Sequence, residues 1–323
     1  MKILVTGGCG YIGSATARWL HRRGVEVSVI DDLSEGHRRA WDGALAELDL
    51  LDRDACHRWL ADQHFDGVIH FAARCYVGES VQQPVRYWRA NVVPLIHLTE
   101  VLEGVPIVFS SSCATYGFPR TPTLAEDHPQ QPVNPYGATK LAAERLLNDR
   151  DAAGLGRFAA LRYFNAAGAS ADGRHGEHHD PETHLIPLAI RAALGQGSPL
   201  TVFGTDWDTP DGSCIRDYIH VDDLASAHYR ALEHLLEGGE SDVWNLGTGR
   251  GSSVIEVIET VGRLCGTPVP HEIGPRREGD PQTLVANADK ARRDLGWEPA
   301  YRELAALVET AVRWHKQQPA GYA

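Results

Sequence analysis

Tyr136 and Lys140 stand four residues apart in Asn134-Pro135-Tyr136-Gly137-Ala138-Thr139-Lys140, the separation that puts two side chains on one face of a helix. Asn134 suits the cap and Pro135 the first helical position, so a helix is predicted to open there. A phenol of pKa about 10 is a poor base at neutral pH, and bringing it near 7 takes about 4 kcal/mol of preferential stabilisation of the phenolate. Lys140, the positive end of the helix and a cationic nicotinamide can together supply that. Upstream, Ser110-Ser111-Ser112 follows an apolar run ending at Phe109. The serines therefore fall at the carboxyl edge of a sheet, where ligands bind in open α/β folds. Hydroxyl, phenol and ammonium so spaced are the parts of a hydride-transfer site, with Tyr136 as the base and Ser112 relaying or orienting the proton.

A hydride needs a carrier, and Thr6-Gly7-Gly8-Cys9-Gly10-Tyr11-Ile12-Gly13 is suited to hold one. The glycines satisfy GxGxxG (Gly8, Gly10, Gly13) and GxxGxxG (Gly7, Gly10, Gly13) at once. They follow a predicted strand and open a predicted helix, the setting in which a bare backbone approaches a pyrophosphate at a helix N-terminus. Asp31 comes 18 residues after Gly13, at the end of the second predicted strand. A carboxylate there accepts hydrogen bonds from the adenosine ribose and repels a 2′-phosphate, which selects NAD over NADP. Arg38 and Arg39 lie beyond that turn and are expected to be solvated surface charges rather than a phosphate clamp.

The elements that must position these groups are legible as apolar runs. Segments 3–5, 25–30, 68–71, 105–109 and 158–163 are continuously apolar, as in a parallel sheet covered on both faces. Helical patterns near 12–23, 53–63, 84–102 and 135–150 alternate with them, giving an α/β, doubly wound parallel sheet of the Rossmann type. After Ala166 the pattern changes. Residues 168–180, rich in Gly, His and Asp, are expected to form a loop, followed by a helix near 182–195 and a loop-rich stretch at 204–214. Ser253-Val254-Ile255-Glu256 fits a capping box, with an apolar stripe of Val254, Val257, Ile258, Val261 and Leu264 ended by Gly266 and Pro268. The expected division is a dinucleotide domain at 1–166 and a second, smaller mixed α/β substrate domain at 167–323, some segments of which return to pack on the first.

Composition narrows the function classes. With 323 residues, 43% hydrophobic and 23% charged, the chain supports a substantial globular core. A formal net charge of −12 argues against nucleic acid or an anionic membrane as main partner, while a few arginines can still hold a small anion. Cys9, Cys56, Cys75, Cys113, Cys214 and Cys265 form no CxxC pair, so reduced thiols are expected rather than disulfides or a zinc site. The apolar run ending at Thr6 is too short for a signal-peptide core, and no 18-residue apolar stretch follows. A cytoplasmic location is the expectation.

The segments TGGCGYIG (6–13), HFAA (70–73), VGES (77–80), FSSSCATYG (109–117), NPYGATK (134–140), LRYFNAAGA (161–169), RDYIHVDDLA (216–225) and PRREGD (275–280) resemble the extended short-chain dehydrogenase/reductase family over nearly the whole chain. Within it they look like the 4-epimerases of UDP-glucose and UDP-galactose. The resemblance implies that Gly7, Gly10, Tyr11, Ile12 and Gly13 line the pyrophosphate turn, and that Asp31, Asp32 and Leu33 flank the adenosine ribose. It places Asp49 and Leu50 near the adenine, Phe71, Ala72 and Ala73 beneath the cofactor, and Asn91 and Ser110 facing it. Tyr136, Lys140, Tyr163 and Phe164 would contact the nicotinamide side. For the UDP-sugar it implies Ser112, Tyr136, Asn165, His184, Leu185, Thr201, Val202, Phe203, Arg216, Arg277 and Asp280. The two arginines also fit on physical grounds, since guanidinium groups bind phosphate bidentately. A homodimer through two first-domain helices is implied as well.

Some positions depart from the pattern. Cys75 stands where some relatives place a Lys near the cofactor, and His184-Leu185 where some have Asn-Leu beside the diphosphate. Leu284 replaces a bulky Tyr that in some relatives limits N-acetyl sugars, which leaves UDP-N-acetylhexosamines open as substrates. SSSCATYG also looks like that of UDP-arabinose 4-epimerases, so a pentose or hexuronate stays open too. His175, His178, His179 and His184 are expected to be solvated or substrate-side, with no metal. The implied reaction removes hydride from carbon 4 of the sugar and returns it to the opposite face, without net redox change. Two rival readings are weaker. Dehydratases carry Asp-Glu where this chain has Cys113-Ala114, and a non-catalytic NAD-sensing module has no need of an activated phenol.

Overall fold

Ile3, Leu4 and Val5 are all fully buried, because the strand that carries them is covered on both faces. Successive side chains on a strand point opposite ways. Ile3 and Val5 therefore pack with Leu20 and Leu224, while Leu4 packs with Leu60, Leu95 and Leu98. The computed structural model describes residues 1–277 and 279–322. Its first part alternates β1 (Lys2–Thr6), α1 (Tyr11–His21), β2 (Glu26–Asp31), β3 (Leu45–Glu47), α2 (Arg53–Ala61), β4 (Gly67–His70), α3 (Val77–Gln82), α4 (Pro84–Val101), β5 (Ile107–Ser112), α5 (Pro135–Ala152) and β6 (Phe158–Tyr163). The strands pair in parallel in the order β3-β2-β1-β4-β5-β6. The strand order reverses between β1 and β4, and ligands bind at such a switch point.

The second part continues with β7 (Asn165–Ala167), α6 (Leu185–Ala193), β8 (Leu200–Phe203), β9 (Ile215–His220), α7 (Val221–Leu236), β10 (Asp242–Leu246), β11 (Gly251–Ser253), α8 (Val254–Cys265), β12 (His271–Gly274), β13 (Thr283–Leu284), α9 (Asp289–Leu295) and α10 (Leu304–Gln317). Two of its elements return to the first layer: β10 extends the sheet beside β6, and α7 packs on α1. The remainder builds a smaller mixed α/β layer, in which β9 pairs with β7, β11 and β13. Ile186, Ile190, Val257, Val261, Leu307 and Val308 bring α6, α8 and α10 together around a core of their own. The capping box forms: Ser253 Oγ accepts from the Glu256 N–H at 3.0 Å, and Gly266 ends α8 at φ 77°.

Two expectations are corrected. Ser110, Ser111 and Ser112 do not follow a strand but form the end of β5, paired with Leu161, Arg162 and Tyr163. Their hydroxyls find partners in the sheet's surroundings, so the ladder outlasts the apolar run. The helix expected near 182–195 begins only at Leu185, because the Glu182 carboxylate accepts from the backbone N–H groups of Thr183 and His184 and holds 182–184 outside the helix. The short elements β3 and α3 carry too little periodicity to be read in advance.

Candidate active site

One cleft of about 2310 Å³ runs along the carboxyl edge of the large sheet and on between the two layers. A single drug-sized ligand fills roughly 300–1,000 Å³, so this cleft has room for two extended molecules. At one end the turn after β1 brings bare backbone to the surface. A Cβ at Gly7 would lie 2.6 Å from Ala72 N, and one at Gly13 would lie 2.1 Å from Gly7 O. Gly10 is the N-cap of α1 and supplies no side-chain acceptor, so the first N–H groups of the helix stay available to an anion. The Tyr11 hydroxyl is committed elsewhere, donating to Gly168 O at 2.6 Å. Asp31 ends β2 and is 7% exposed. It accepts from Cys9 N and Leu33 N, both at 2.8 Å. Burial pushes its carboxyl up, and the two N–H bonds oppose that shift. A dinucleotide fits this cradle: helix N–H groups face its pyrophosphate, and a carboxylate with spare lone pairs faces its ribose.

Midway along the cleft, β5 and α5 present the reactive cluster. Asn134 caps α5 by accepting from Gly137 N at 2.8 Å, and Tyr136 and Lys140 project from its first turns. The Lys140 ammonium donates to Ser110 O at 2.7 Å and lies 5.9 Å from the centre of the Tyr136 ring. Burial lowers its pKa to about 8. The Tyr163 and Ser110 hydroxyls share a hydrogen bond of 2.6 Å. Tyr136 is buried in the same cluster. Burial pushes its phenol well above the ordinary value, with only the Ser112 hydroxyl pulling the other way. Loss of water is the largest influence on this phenol, and a cationic nicotinamide beside the ring would favour its phenolate.

Beneath this cluster lies a buried network that carries no local sequence signal. The Arg162 guanidinium grips the Glu144 carboxylate at 2.9 and 2.6 Å, while its third nitrogen donates to Tyr116 Oη at 2.9 Å. Tyr116 donates on to Asn245 Oδ1 at 2.7 Å, and Ser111 donates to Glu144. One chain of bonds therefore locks β5, α5, β6 and β10 together.

At the far end, the alternation of β8 turns Thr201 and Phe203 outward while Val202 points into the second core. The Arg277 guanidinium stacks over the Phe203 ring at 4.2 Å. Arg216, on β9, pairs with Asp280 at 2.7 Å, and Asn165 donates to Asp217 O at 3.0 Å. The cleft is lined by Gly7, Gly10, Tyr11, Ile12, Gly13, Asp31, Asp32, Asp49, Leu50, Phe71, Ala72, Ala73, Ser110, Ser112, Tyr136, Lys140, Tyr163 and Phe164. Its substrate-side wall contains Asn165, His184, Leu185, Thr201, Val202, Phe203, Arg216, Arg277 and Asp280.

A model of the NAD dependent epimerase/dehydratase family matches residues 3–247. The chain belongs to that family. It is 50% identical over 331 aligned positions to the UDP-glucose 4-epimerase of Halalkalibacterium halodurans, covering 100% of this chain and 98% of the relative. A crystal structure of UDP-glucose 4-epimerase superposes with a TM-score of 0.97 at 42% identity, covering all of both chains. The structure of UDP-glucose 4-epimerase from Brucella ovis in complex with NAD superposes with a TM-score of 0.93 at 47% identity, covering 96% of this chain and 97% of that one.

Against this family pattern, two cofactor-side expectations and the expectations for His175 and His178 need correction. Leu33 is not on the cleft: it takes a left-handed φ of 59° and packs against the core beside β1. Asn91 is 2% exposed, and its amide is spent on Arg74 and Thr139: it accepts from Arg74 N and donates to Arg74 O and Thr139 Oγ1. Asn91 therefore fixes the loop between β4 and α3, and it is not among the residues that line the cleft. His175, expected to be solvated or substrate-side, is 2% exposed and bonds Tyr11 O and Tyr322 Oη at 3.0 and 2.7 Å. His178 is stacked on His37. His179 and His184 do line the cleft, and both turn toward Glu177 and Glu182. Tertiary contacts from the C-terminal residues and α1 bury this loop, which composition alone marks as polar surface. Arg74, Tyr76 and Arg191 line the cleft without having been singled out, since single basic or aromatic residues in loops carry no spacing signal.

Proposed function

We propose that this chain epimerises a UDP-sugar at carbon 4, interconverting UDP-galactose and UDP-glucose through a transient 4-keto sugar, with NAD as a resident cofactor. The observation that carries the reading is the place of Ser112, Tyr136 and Lys140: they stand midway along one cleft, between a dinucleotide turn and an arginine-bearing wall. When bound, the nicotinamide supplies a reversible acceptor for one hydride. Tyr136 takes the proton of the sugar 4-hydroxyl, and Ser112 orients it. Lys140, fixed on Ser110 O, holds positive charge near the phenol. Arg216 and Arg277 anchor the nucleotide diphosphate while the sugar turns over between the two half-reactions. Cys113 and Ala114, beside Ser112, offer no acid/base pair to eliminate water, which disfavours a dehydratase.

UDP-galactose deuterated at carbon 4 is expected to give UDP-glucose that keeps its label, with no cofactor added and no net NADH formed. A 4-keto-6-deoxy product would move the chain to the dehydratases, and stoichiometric NAD reduction would make it an ordinary dehydrogenase. The same assay run with UDP-arabinose and UDP-N-acetylhexosamines tests the opening left at Leu284. We also read the chain as a cytoplasmic homodimer. Six free cysteines support the first part, and the exposed Val85, Trp88 and Ile96 on α4 support pairing of two copies through that helix.

A further inference from the structure

Glu177, His179, Glu182 and His184 offer four ligand atoms that all lie within 4.8 Å of one another. His179 Nδ1 is 3.4 Å from Glu177 Oε1 and 3.5 Å from Glu182 Oε2. His184 Nδ1 is 2.8 Å from Glu177 Oε1 and 3.3 Å from Glu182 Oε1. The edge of a tetrahedron around a zinc ion with bonds near 2.0–2.1 Å is about 3.3 Å, and the His–Glu separations lie on either side of that length, with Glu182 presenting a different oxygen to each imidazole. The two carboxylates are almost sealed, with side chains 6% and 3% exposed.

The second observation is directional. Both Nδ1 atoms are buried, yet neither makes a hydrogen bond of acceptable geometry to any group, although carboxylate oxygens lie within reach. A hydrogen-bonded ion-pair cluster would aim N–H at oxygen. Here the two imidazole nitrogens lie among the carboxylate oxygens without that aim. Two carboxylates and two neutral imidazoles balance a divalent cation, which removes the cost of burying like charges together. Glu182 Oε1 is further oriented by the N–H groups of Thr183 and His184, at 2.8 and 2.9 Å, the kind of outer contact that fixes metal ligands.

We propose that Glu177, His179, Glu182 and His184 bind one zinc ion in a closed, structural site. Four protein ligands complete a tetrahedron and leave no position for water or substrate, which separates this site from a catalytic one. Imidazole and carboxylate ligands in this geometry suit zinc over calcium or magnesium, which take larger all-oxygen shells. The ion clasps the 177–184 loop directly before α6, on the wall of the cleft that holds His184 and Leu185. All four ligands line the cleft, but the ion takes no part in the proton and hydride steps proposed above, so its metal content is tested separately from that reaction.

The test uses the full, untagged chain purified without chelator. Elemental analysis is expected to find about one zinc per chain. Chelation followed by zinc return should raise the unfolding temperature by several degrees once zinc exceeds its dissociation constant about 100-fold. Replacement by cobalt should produce the visible absorption of a four-coordinate ion, which needs no variant that could fail to fold. His179→Ala and Glu182→Gln should each lose the zinc and the cobalt absorption. Wild-type chain that carries no zinc, and neither gains stability nor colours on metal addition, would overturn the site in favour of a plain His–Glu cluster. Zinc retained at full stoichiometry by both variants would overturn it too, by showing that the metal sits on other histidines among the 16 in the chain.

Discussion

Tyr136 occupies a surrounding that opposes its own ionisation, since burial raises the phenol and Lys140 is bound to a carbonyl rather than to the phenol oxygen. Base activation is thereby tied to whatever positive charge enters the cleft beside it. Tyr136→Phe keeps the ring in place and should fold normally, while turnover drops by about 10²–10⁴-fold, the usual contribution of a general base. Near-normal turnover with an unchanged circular dichroism spectrum would exclude Tyr136 as the base. Lys140→Ala removes a cation that favours phenolate, so the pH optimum of the remaining activity should move upward. At the other end of the cleft, Asp31→Ala is expected to weaken NAD binding by about 1–3 kcal/mol, measured by calorimetry on the cofactor-stripped chain. Part of that loss would come from freeing Cys9 N and Leu33 N, which Asp31 now holds. Predominance of NADP in the purified protein would contradict the ribose assignment.

Elements are placed around these residues by contacts that no local pattern announces. Glu144 and Arg162, both about 5% exposed, join α5 to β6 directly under Ser111, so the helix carrying Tyr136 and Lys140 cannot slide along the sheet. Removing one member of a buried pair leaves the other charge uncompensated, at a cost of about 3–5 kcal/mol. Glu144→Gln should therefore lower the unfolding temperature by several degrees or more, at roughly 2–4 °C per kcal/mol for a domain of 150–250 residues. The double variant Glu144→Leu, Arg162→Met should recover part of that loss, because it leaves no lone charge behind. A single variant as stable as the parent would show the pair to be dispensable. Asn91 does similar work on a smaller scale, tying the backbone at Arg74 to Thr139 on α5.

For the whole molecule, acid stability is the property most exposed to its buried histidines. His70, His220 and His228 are each at most 1% exposed. Burial lowers their pKa values to about 3, about 4 and about 4 respectively. His220 Nδ1 also accepts from Asp222 N at the start of α7, which a protonated nitrogen cannot do. Below pH 6.5 the unfolded chain binds protons at these residues while the folded chain does not. Stability is therefore full above that pH and falls as pH drops toward 4, by roughly 1.4 kcal/mol per unit for each histidine. Asp222, pushed up to about 6 by burial, acts in the opposite sense, as do the raised carboxyls of Asp31, Glu126, Asp217 and Asp223, while His175 and His315, lowered by burial to about 3 and about 4, act with the three histidines. Urea midpoints measured from pH 7.5 to pH 4.5 should fall steadily below pH 6.5, and a flat profile would mean the three imidazoles are not held neutral.

Local chemistry alone determined a good deal of this protein. The glycine turn, Asp31 at the end of a strand, and Tyr136 four residues before Lys140 each depend on neighbours in the chain, so spacing was enough to locate them. The doubly wound sheet was legible for the same reason, since a strand covered on both faces must be apolar throughout. Only the tertiary structure decided that β10 returns to the first sheet, that Asn91 and Leu33 point away from the cleft, and that Arg162 reaches Glu144. It alone brought ligand atoms of Glu177, His179, Glu182 and His184 within 4.8 Å of one another, in a stretch that begins in a loop whose composition resembles solvated surface. Burial is a property of the packed whole: it raises the Tyr136 phenol, and desolvation cannot be read from which residues stand nearby in sequence.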